Sequence, residues 1–155
     1  MSTNESPEAV NWLNHDEERA WRSYRRMVLA VQAATARDLA DVGLSEPDYE
    51  VLSTLSELPG RTSTLRDQAA KMRWSRSRLS RHATRMEARG LLRREPDPAD
   101  GRGCFLVLTD HGMETLEVAA PAHLASVRRH FVDRLTPDDL RVLERVAAKL
   151  RDDED

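Results

Sequence analysis

The stretch "TLRDQAAKMRWSRSRLSRHATRMEARG" (residues 64–90) contains two short helical patterns joined by a tight connection. Thr64 is placed to cap the first helix, in which apolar residues recur three and four positions apart. Ser75 is placed to cap the second helix, which extends to about Arg89, and Gly90 suits a left-handed exit. Two short helices joined so closely predict a helix-turn-helix, in which the second helix contacts DNA.

The second helical pattern separates its apolar and basic residues onto opposite sides. At about 100 degrees per residue, Leu79, Ala83 and Met86 fall within an arc of roughly 60 degrees, which predicts the buried side. The opposite side carries hydroxyls and arginines without a carboxylate among them, namely Ser77, Arg78, Ser80, Arg81, Thr84, Arg85 and Arg89. Like charges four positions apart repel by a few tenths of a kcal/mol, so this unmatched row indicates a polyanionic partner. An arginine-rich solvent face is the competing interpretation, because 22 of the 24 basic residues are arginine.

Position along the helix predicts the role of each DNA-facing residue. The first turns of a recognition helix reach base edges, so Ser77, Arg78 and Arg81 are the predicted base contacts. The predicted contacts to the DNA backbone are Arg73, Ser75, Arg76, Ser80, Thr84, Arg85 and Arg89. Arginine can bind guanine through two hydrogen bonds in the major groove, and each neutralised phosphate releases condensed counterions.

The charge of the chain is concentrated in its centre, although the formal net charge is only -3. Residues 61–95 contain 11 basic and three acidic residues, whereas the remainder contains 13 basic and 24 acidic residues. A basic block inside an acidic chain predicts double-stranded DNA as the partner of that block.

A hairpin pattern follows the predicted helix-turn-helix. The β-prone runs "LLRRE" and "CFLVL" flank the turn-rich segment "PDPADGRG", and a hairpin in this place predicts a winged helix over residues 44–108. Arg102, at the tip of the wing (residues 96–103), is placed to enter a minor groove, where narrow A-tracts attract guanidinium groups. Asp100 is expected to hold Arg102 by an ion pair.

Long amphipathic helices are predicted on both sides of the winged helix, at residues 15–40 and 110–151, after a flexible N-terminus at residues 1–14. These helices are expected either to share a core within the chain or to pack against a second subunit, and the amount of apolar surface favours a homodimer. The predicted fold is mainly α with a small β-hairpin wing. It forms a single structural domain, a winged helix-turn-helix with long N- and C-terminal dimerisation helices.

The sequence resembles the MarR family of winged-helix transcriptional regulators. The resemblance lies in "SRSRLSRHATRMEARGLLRRE", in the wing segment "DPADGRG" and in "LTDHG", and it extends from about residue 15 to residue 150. It implies a homodimeric repressor that binds a pseudo-palindromic operator and releases it on binding a small aromatic or phenolic effector. For such an effector the family implies a pocket beside the dimer helices, to which Trp21, Tyr24 and Arg25 are the candidate contributors.

The sequence departs from the MarR pattern at two positions. Arg73 stands where the turn of the family usually has glycine, which costs on the order of 1 kcal/mol if the residue is left-handed. Gly101 stands between Asp100 and Arg102 where the wing usually has a second arginine. Some family members sense oxidants, but their cysteine lies near the N-terminal helix, so this mechanism is not expected of Cys104.

Other classes of function have little support in the sequence. No run of about 18 apolar residues is present, which predicts a cytoplasmic protein without a membrane partner. The five histidines form no pattern typical of a metal site, and no phosphate loop or nucleophile motif indicates an enzyme or a cofactor. Two alternatives remain open: an architectural DNA-binding protein of low sequence specificity, and a helical adaptor that has kept the fold without binding DNA.

Overall fold

The computed structural model describes residues 9–151. The helices are α1 (His15–Asp41), α2 (Glu46–Glu57), α3 (Leu65–Met72), α4 (Arg76–Ala88), α5 (Asp110–His130) and α6 (Pro137–Arg151). The strands are β1 (Thr62–Thr64), β2 (Leu92–Pro96) and β3 (Cys104–Leu108), and short 3-10 turns lie at Pro59–Arg61 and Val132–Arg134. The predicted winged helix-turn-helix fold is confirmed. Of the predicted flexible N-terminus, residues 1–8 lie outside the described residues, and residues 9–14 carry no helix or strand.

Side-chain caps fix where most of these helices begin. Thr64 Oγ1 accepts the backbone N–H of Asp67 at 3.0 Å, and Ser75 Oγ accepts that of Arg78 at 3.1 Å. Each cap satisfies a backbone donor that has no partner within its helix, which is worth about 1 kcal/mol. The predicted starts of α3 and α4 are therefore confirmed, and together they set the tight connection of the helix-turn-helix.

The sheet contains one strand more than the predicted hairpin. Its order is β1-β3-β2, and both pairs are antiparallel, with Thr62 opposite Val107 and Leu92 opposite Leu108. β1 was not predicted because three polar residues are too few to show an alternating pattern. By pairing with β3, β1 ties the start of α3 to the base of the wing.

The core of the winged helix lies between α2, α4 and the sheet. Leu79, Ala83 and Met86 are each 0% exposed, as the helical pattern predicted, and Leu52 and Leu106 are buried beside them. This face fixes the rotation of α4 about its axis, so the opposite face with its arginines points outward. Burying a leucine side chain contributes about 1.5–3 kcal/mol, which makes the rotation strongly determined.

A polar cluster joins α1 to α5. Asp38 Oδ2 accepts hydrogen bonds from Ser126 Oγ at 2.6 Å and Arg129 Nη2 at 2.8 Å, and His130 Nε2 lies 3.1 Å away. The Ser126 hydroxyl and the Arg129 guanidinium lower the pKa of Asp38 to about 2. The carboxylate is therefore charged above this pH and holds the two long helices together beside the winged helix.

Much apolar surface on the long helices, and just before α1, is exposed in the single chain. Trp12, Trp21, Val118 and Leu124 are 82%, 51%, 75% and 62% exposed, and no residue of α6 is buried. Within residues 9–151, no helix has the length and apolar character needed to cross a membrane.

Candidate nucleic-acid interface

A Schellman-type turn connects α3 to α4 and sets the angle of the recognition helix. The backbone N–H of Trp74 donates to Ala69 O at 2.9 Å, and that of Arg73 donates to Ala70 O at 3.1 Å. Arg73 has φ 53° and ψ 38°, so it is left-handed at the turn position where the MarR pattern has glycine. This costs on the order of 1 kcal/mol for a residue with a side chain.

The outward face of α4 is basic and exposed, as the helical pattern predicted. Its exposed residues are Arg76, Ser77, Arg78, Arg81, Thr84 and Arg85, and its first turn contains no acidic residue. Within residues 9–151, the guanidinium groups of Arg76 and Arg81 make no hydrogen bond or ion pair. Their guanidinium groups, together with the positive end of the helix dipole, present an electropositive surface to an anion.

Two further arginines of this face are held by aromatic side chains. The Arg78 guanidinium lies over the ring of Trp74, with its carbon 3.7 Å from the ring centroid. Arg85 Nη2 lies 3.2 Å from His82 Nδ1. These contacts leave both side chains exposed, so they restrict the orientation of the guanidinium groups without covering them.

Arg89, a predicted phosphate contact, is bonded within the protein. Its Nη1 donates to Asp48 Oδ2 at 2.8 Å and its Nη2 donates to the carbonyl of Gly43. Arg89 therefore supplies the cation that the buried carboxylate of Asp48 needs in the contact between α2 and α4. Its side chain is still 43% exposed, and its contact to the DNA backbone stays a prediction.

Asp48 is a central residue of this contact, and the sequence analysis assigned it no functional role. It accepts the backbone N–H of Ser45 at 2.9 Å, and His82 Nε2 lies 2.9 Å from its Oδ1, although the ring N–H is not well aligned on that oxygen. Burial alone would raise the pKa of Asp48, but His82, the Ser45 amide and Arg89 outweigh burial and hold it far below its ordinary value. A charged carboxylate thus sits beneath the recognition helix.

Arg94 of β2 is a second residue that the sequence analysis missed. Its guanidinium donates to Glu87 Oε1 at 2.7 Å, to Ser80 Oγ at 3.0 Å and to Thr84 Oγ1 at 2.9 Å. These bonds tie the first wing strand to the recognition helix. Strand alternation was the available signal, because it places Arg94 on the same side as the buried Leu92. Ser80 and Thr84 thus already accept hydrogen bonds here, and their backbone contacts to DNA stay predictions.

At the wing tip, the expected ion pair between Asp100 and Arg102 was wrong. Asp100 Oδ1 accepts the backbone N–H of Arg102 at 3.1 Å, and among the described residues the two side chains form no ion pair. Asp100 therefore positions the backbone of the tip rather than the guanidinium, because the short carboxylate reaches the nearby amide first. Between the tip and the start of α4 lies a recess of about 220 Å³, beside Arg66, Arg76 and Arg102.

The predicted effector residues do not form a pocket in the single chain. Trp21 and Tyr24 stack with ring centroids 5.8 Å apart, and both they and Arg25 are exposed on α1. Over the part of the chain that the structure describes, no three His, Cys, Asp or Glu side chains are grouped as metal ligands. Cys104 is half-buried in β3, with its Sγ 4.0 Å from Arg94 Nη1.

Comparison with known proteins identifies similar sequences and folds. A sequence model of the MarR family matches residues 42–103, which run from just after α1 to the end of the wing tip. The transcriptional regulator HosA of Escherichia coli O111:H- is 31% identical over 132 residues, covering 85% of this chain and 94% of HosA.

Two solved structures from Streptomyces coelicolor are similar along nearly their whole length. AbsC, a MarR family transcriptional regulator, is 43% identical with a TM-score of 0.84, and the match covers 92% of this chain and 99% of AbsC. Sco3205, a MarR family transcriptional regulator solved in complex with DNA, is 36% identical with a TM-score of 0.86. That match covers 91% of this chain and 89% of Sco3205.

Proposed function

This chain belongs to the MarR family of DNA-binding transcriptional regulators, and we propose that it acts as a ligand-responsive repressor that binds a pseudo-palindromic operator as a homodimer. In this proposal the recognition helix (residues 75–89) lies in the major groove and the wing (residues 96–103) lies at the minor groove of each half-site.

The exposed arginine face of α4 is the observation that carries this proposal. Buried Leu79, Ala83 and Met86 turn that face outward, and no carboxylate interrupts it. Arg102 lies on the same side of the molecule as Arg76, since both line the recess below the wing. A convex helix flanked by a basic hairpin fits one major groove and the adjacent minor groove of B-DNA.

Arg81 is the residue through which the function is best tested, because it is exposed and has no partner among the described residues. Arg81→Ala is expected to weaken binding to the preferred duplex by about 1–3 kcal/mol and to relax the preference at one base pair. A duplex pool with a randomised 25-base-pair centre supplies the preferred sequence, and titration at fixed salt gives both affinities. Arg145→Ala, at an exposed arginine of α6, is the matched control and is expected to change neither.

The same titration separates the alternatives. A specific regulator should prefer its site over random duplex by about 1000-fold or more. A wild-type ratio near one would make an architectural DNA-binding protein the better account. Wild-type protein that binds neither duplex would favour the helical adaptor.

The homodimer is supported by where the exposed apolar side chains lie. Among the described residues, all large hydrophobic residues recorded as exposed lie outside the winged helix: Val10, Trp12, Leu13, Trp21, Tyr24, Met27, Leu29, Val118, Leu124, Val142, Val146 and Leu150. Large apolar side chains exposed in such number on and beside the long helices favour a surface that a second subunit covers. Sedimentation at micromolar concentration is expected to give twice the chain mass of 17.6 kDa. A folded species of single-chain mass at that concentration would contradict the dimer.

The proposed effector is a small aromatic or phenolic molecule held between the long helices and the winged helix. The stacked Trp21 and Tyr24 offer it an aromatic wall, which a second subunit would have to close. A thermal-shift screen of aromatic acids and phenols tests this part: a compound at 100 times its dissociation constant should add about 2.7 kcal/mol of stability. If no compound of this class shifts the unfolding midpoint or the DNA affinity, the effector part of the proposal is wrong.

A further inference from the structure

We propose that Trp74 is a positioning residue for base readout: its ring holds the Arg78 guanidinium in one orientation on the DNA-facing surface, and the Asp48–His82 pair holds the ring. The inference rests on the proposed function, since it assumes that Arg78 contacts bases. Trp74 itself was assigned no role by the sequence, because it lies in the connection between two helices, where apolar periodicity says nothing.

The Arg78 guanidinium packs on the indole ring of Trp74. The guanidinium carbon lies 3.7 Å from the ring centroid, well within the roughly 6 Å over which a cation is attracted to an indole face. Trp74 is half-buried whereas Arg78 is exposed, so the ring is the anchored partner. A free arginine on a helix surface samples many rotamers, and stacking removes much of this freedom before DNA arrives.

The indole ring of Trp74 is itself anchored by its backbone and by the ring of His82. The backbone of Trp74 is fixed by its hydrogen bond to Ala69 O at 2.9 Å. The indole meets the ring of His82 edge to face, with centroids 5.6 Å apart and planes at 85°. His82 is only 7% exposed, and its Nε2 lies 2.9 Å from the buried carboxylate of Asp48. The ring therefore rests on a side chain that is itself fixed to α2.

The guanidinium carbon lies 3.7 Å from the centroid, which is the separation of two planar groups in face contact. A guanidinium so placed keeps its N–H donors in its own plane, so none of them is directed into the ring. Guanine is read by two parallel hydrogen bonds to O6 and N7, which require two donors in one fixed plane. Arg81, on the same face, has no such support among the described residues. The structure thus distinguishes a preorganised arginine at Arg78 from an adaptable one at Arg81.

The test measures base preference rather than affinity alone. Wild-type protein selects its preferred duplex from the randomised pool, and dissociation constants are then measured for that duplex, for each single-base-pair change and for random duplex. Trp74→Leu is expected to weaken binding to the preferred duplex about 3- to 10-fold. It should lose discrimination at the same base pair as Arg78→Ala, while binding to random duplex changes by less than about 2-fold.

Three further variants separate positioning from folding. Trp74→Phe keeps an aromatic face and should restore most of the discrimination, whereas Arg78→Lys keeps the charge, loses the planar donor pair and should not discriminate. The double variant Trp74→Leu/Arg78→Ala should behave like Arg78→Ala alone, because the ring acts only through the guanidinium. Glu57→Ala, at an exposed residue of α2 with no assigned contact to DNA or to a second subunit, is the control and should leave base preference unchanged.

Each outcome decides between this inference and the function on which it rests. If wild-type protein enriches no sequence, the sequence-specific regulator fails and the inference fails with it. If Arg78→Ala removes a base preference that Trp74→Leu keeps, the positioning role is wrong while the proposed function stands. The same holds if Trp74→Leu lowers affinity equally for every duplex, or if it fails to fold and Trp74→Phe discriminates no better than Arg78→Ala.

Discussion

Replacing Asp48 with alanine is expected to lower the free energy of unfolding by about 3–5 kcal/mol. The carboxylate is 4% exposed and is surrounded by Arg89 Nη1 at 2.8 Å, His82 Nε2 at 2.9 Å and the backbone N–H of Ser45 at 2.9 Å. Its removal leaves these donors without their acceptor and breaks the capping box of α2. Urea unfolding at pH 7 measures the loss.

Two other variants define the cause of this loss. Asp48→Asn keeps the shape and one acceptor, so it should cost less than Asp48→Ala. Asp41→Ala removes an exposed carboxylate at the end of α1 and should change stability by no more than about 0.5 kcal/mol. If Asp48→Ala were as mild as Asp41→Ala, the buried contact between α2 and α4 would not stabilise the fold.

The pH dependence of the Asp48 contribution has a definite sign. The pKa of Asp48 in the folded chain lies far below its ordinary value near 4, because burial, which raises the pKa, is outweighed by the nearby His82 ring, the Ser45 amide and the Arg89 guanidinium. Its contribution is therefore fully present above about pH 4 and is lost as the pH falls further. The stability gap between wild type and Asp48→Asn should accordingly narrow as the pH falls from 5 to 3.

Substitution of Gly112 by alanine is expected to cost about 3 kcal/mol, although alanine normally stabilises a helix over glycine by about 0.5–1 kcal/mol. A Cβ at this position would lie 2.2 Å from the backbone oxygen of Leu91 and 2.7 Å from Leu108 Cδ1. The oxygen belongs to the backbone that enters β2 and also accepts the N–H of Thr109 at 3.3 Å, so it cannot rotate away. The clash therefore exceeds the gain in helix propensity.

The matched control for this substitution is Gly101→Ala at the wing tip. An added Cβ there meets no atom within 4 Å, so stability should change by no more than about 0.5 kcal/mol. Thermal unfolding of both variants beside wild type gives the comparison. An unchanged midpoint for Gly112→Ala would mean that α5 does not approach the start of β2 as closely as the structure has it.

The sequence predicted well whatever depends on neighbours along the chain. Thr64 and Ser75 cap their helices because a hydroxyl and an amide three residues later meet once the helix forms. The outward direction of the α4 arginines could be predicted in the same way. A helix has a fixed period, and Leu79 lies on its buried side, so the arginines lie on the opposite side. The resemblance to the MarR family pointed to the turn position of Arg73, and the structure shows that this residue is left-handed.

Contacts between residues distant in sequence could be predicted only in part. Arg89 and Asp48 are 41 residues apart, and Arg94 reaches Ser80 from a different element. On the helical pattern Arg89 belongs to the same row as Arg81, and only the packing of α2 against α4 gives it a buried carboxylate to bind. His82 lies beside the buried arc of its helix, so the helical pattern could have predicted that it is buried. The pattern could not have predicted that Asp48 lies beside it.

The sequence by itself thus determined the winged helix and the direction in which its basic face points, because caps and helical periods act over three or four residues. The tertiary structure alone decided which arginines of this face are held by contacts within the protein and which are not. A guanidinium's partner depends on which element is brought beside it, and that proximity arises only when the core closes. The packing of α4 against its neighbours places Arg78 on Trp74, Arg85 beside His82 and Arg89 on Asp48. The guanidinium groups of Arg76 and Arg81, in contrast, make no hydrogen bond or ion pair within residues 9–151.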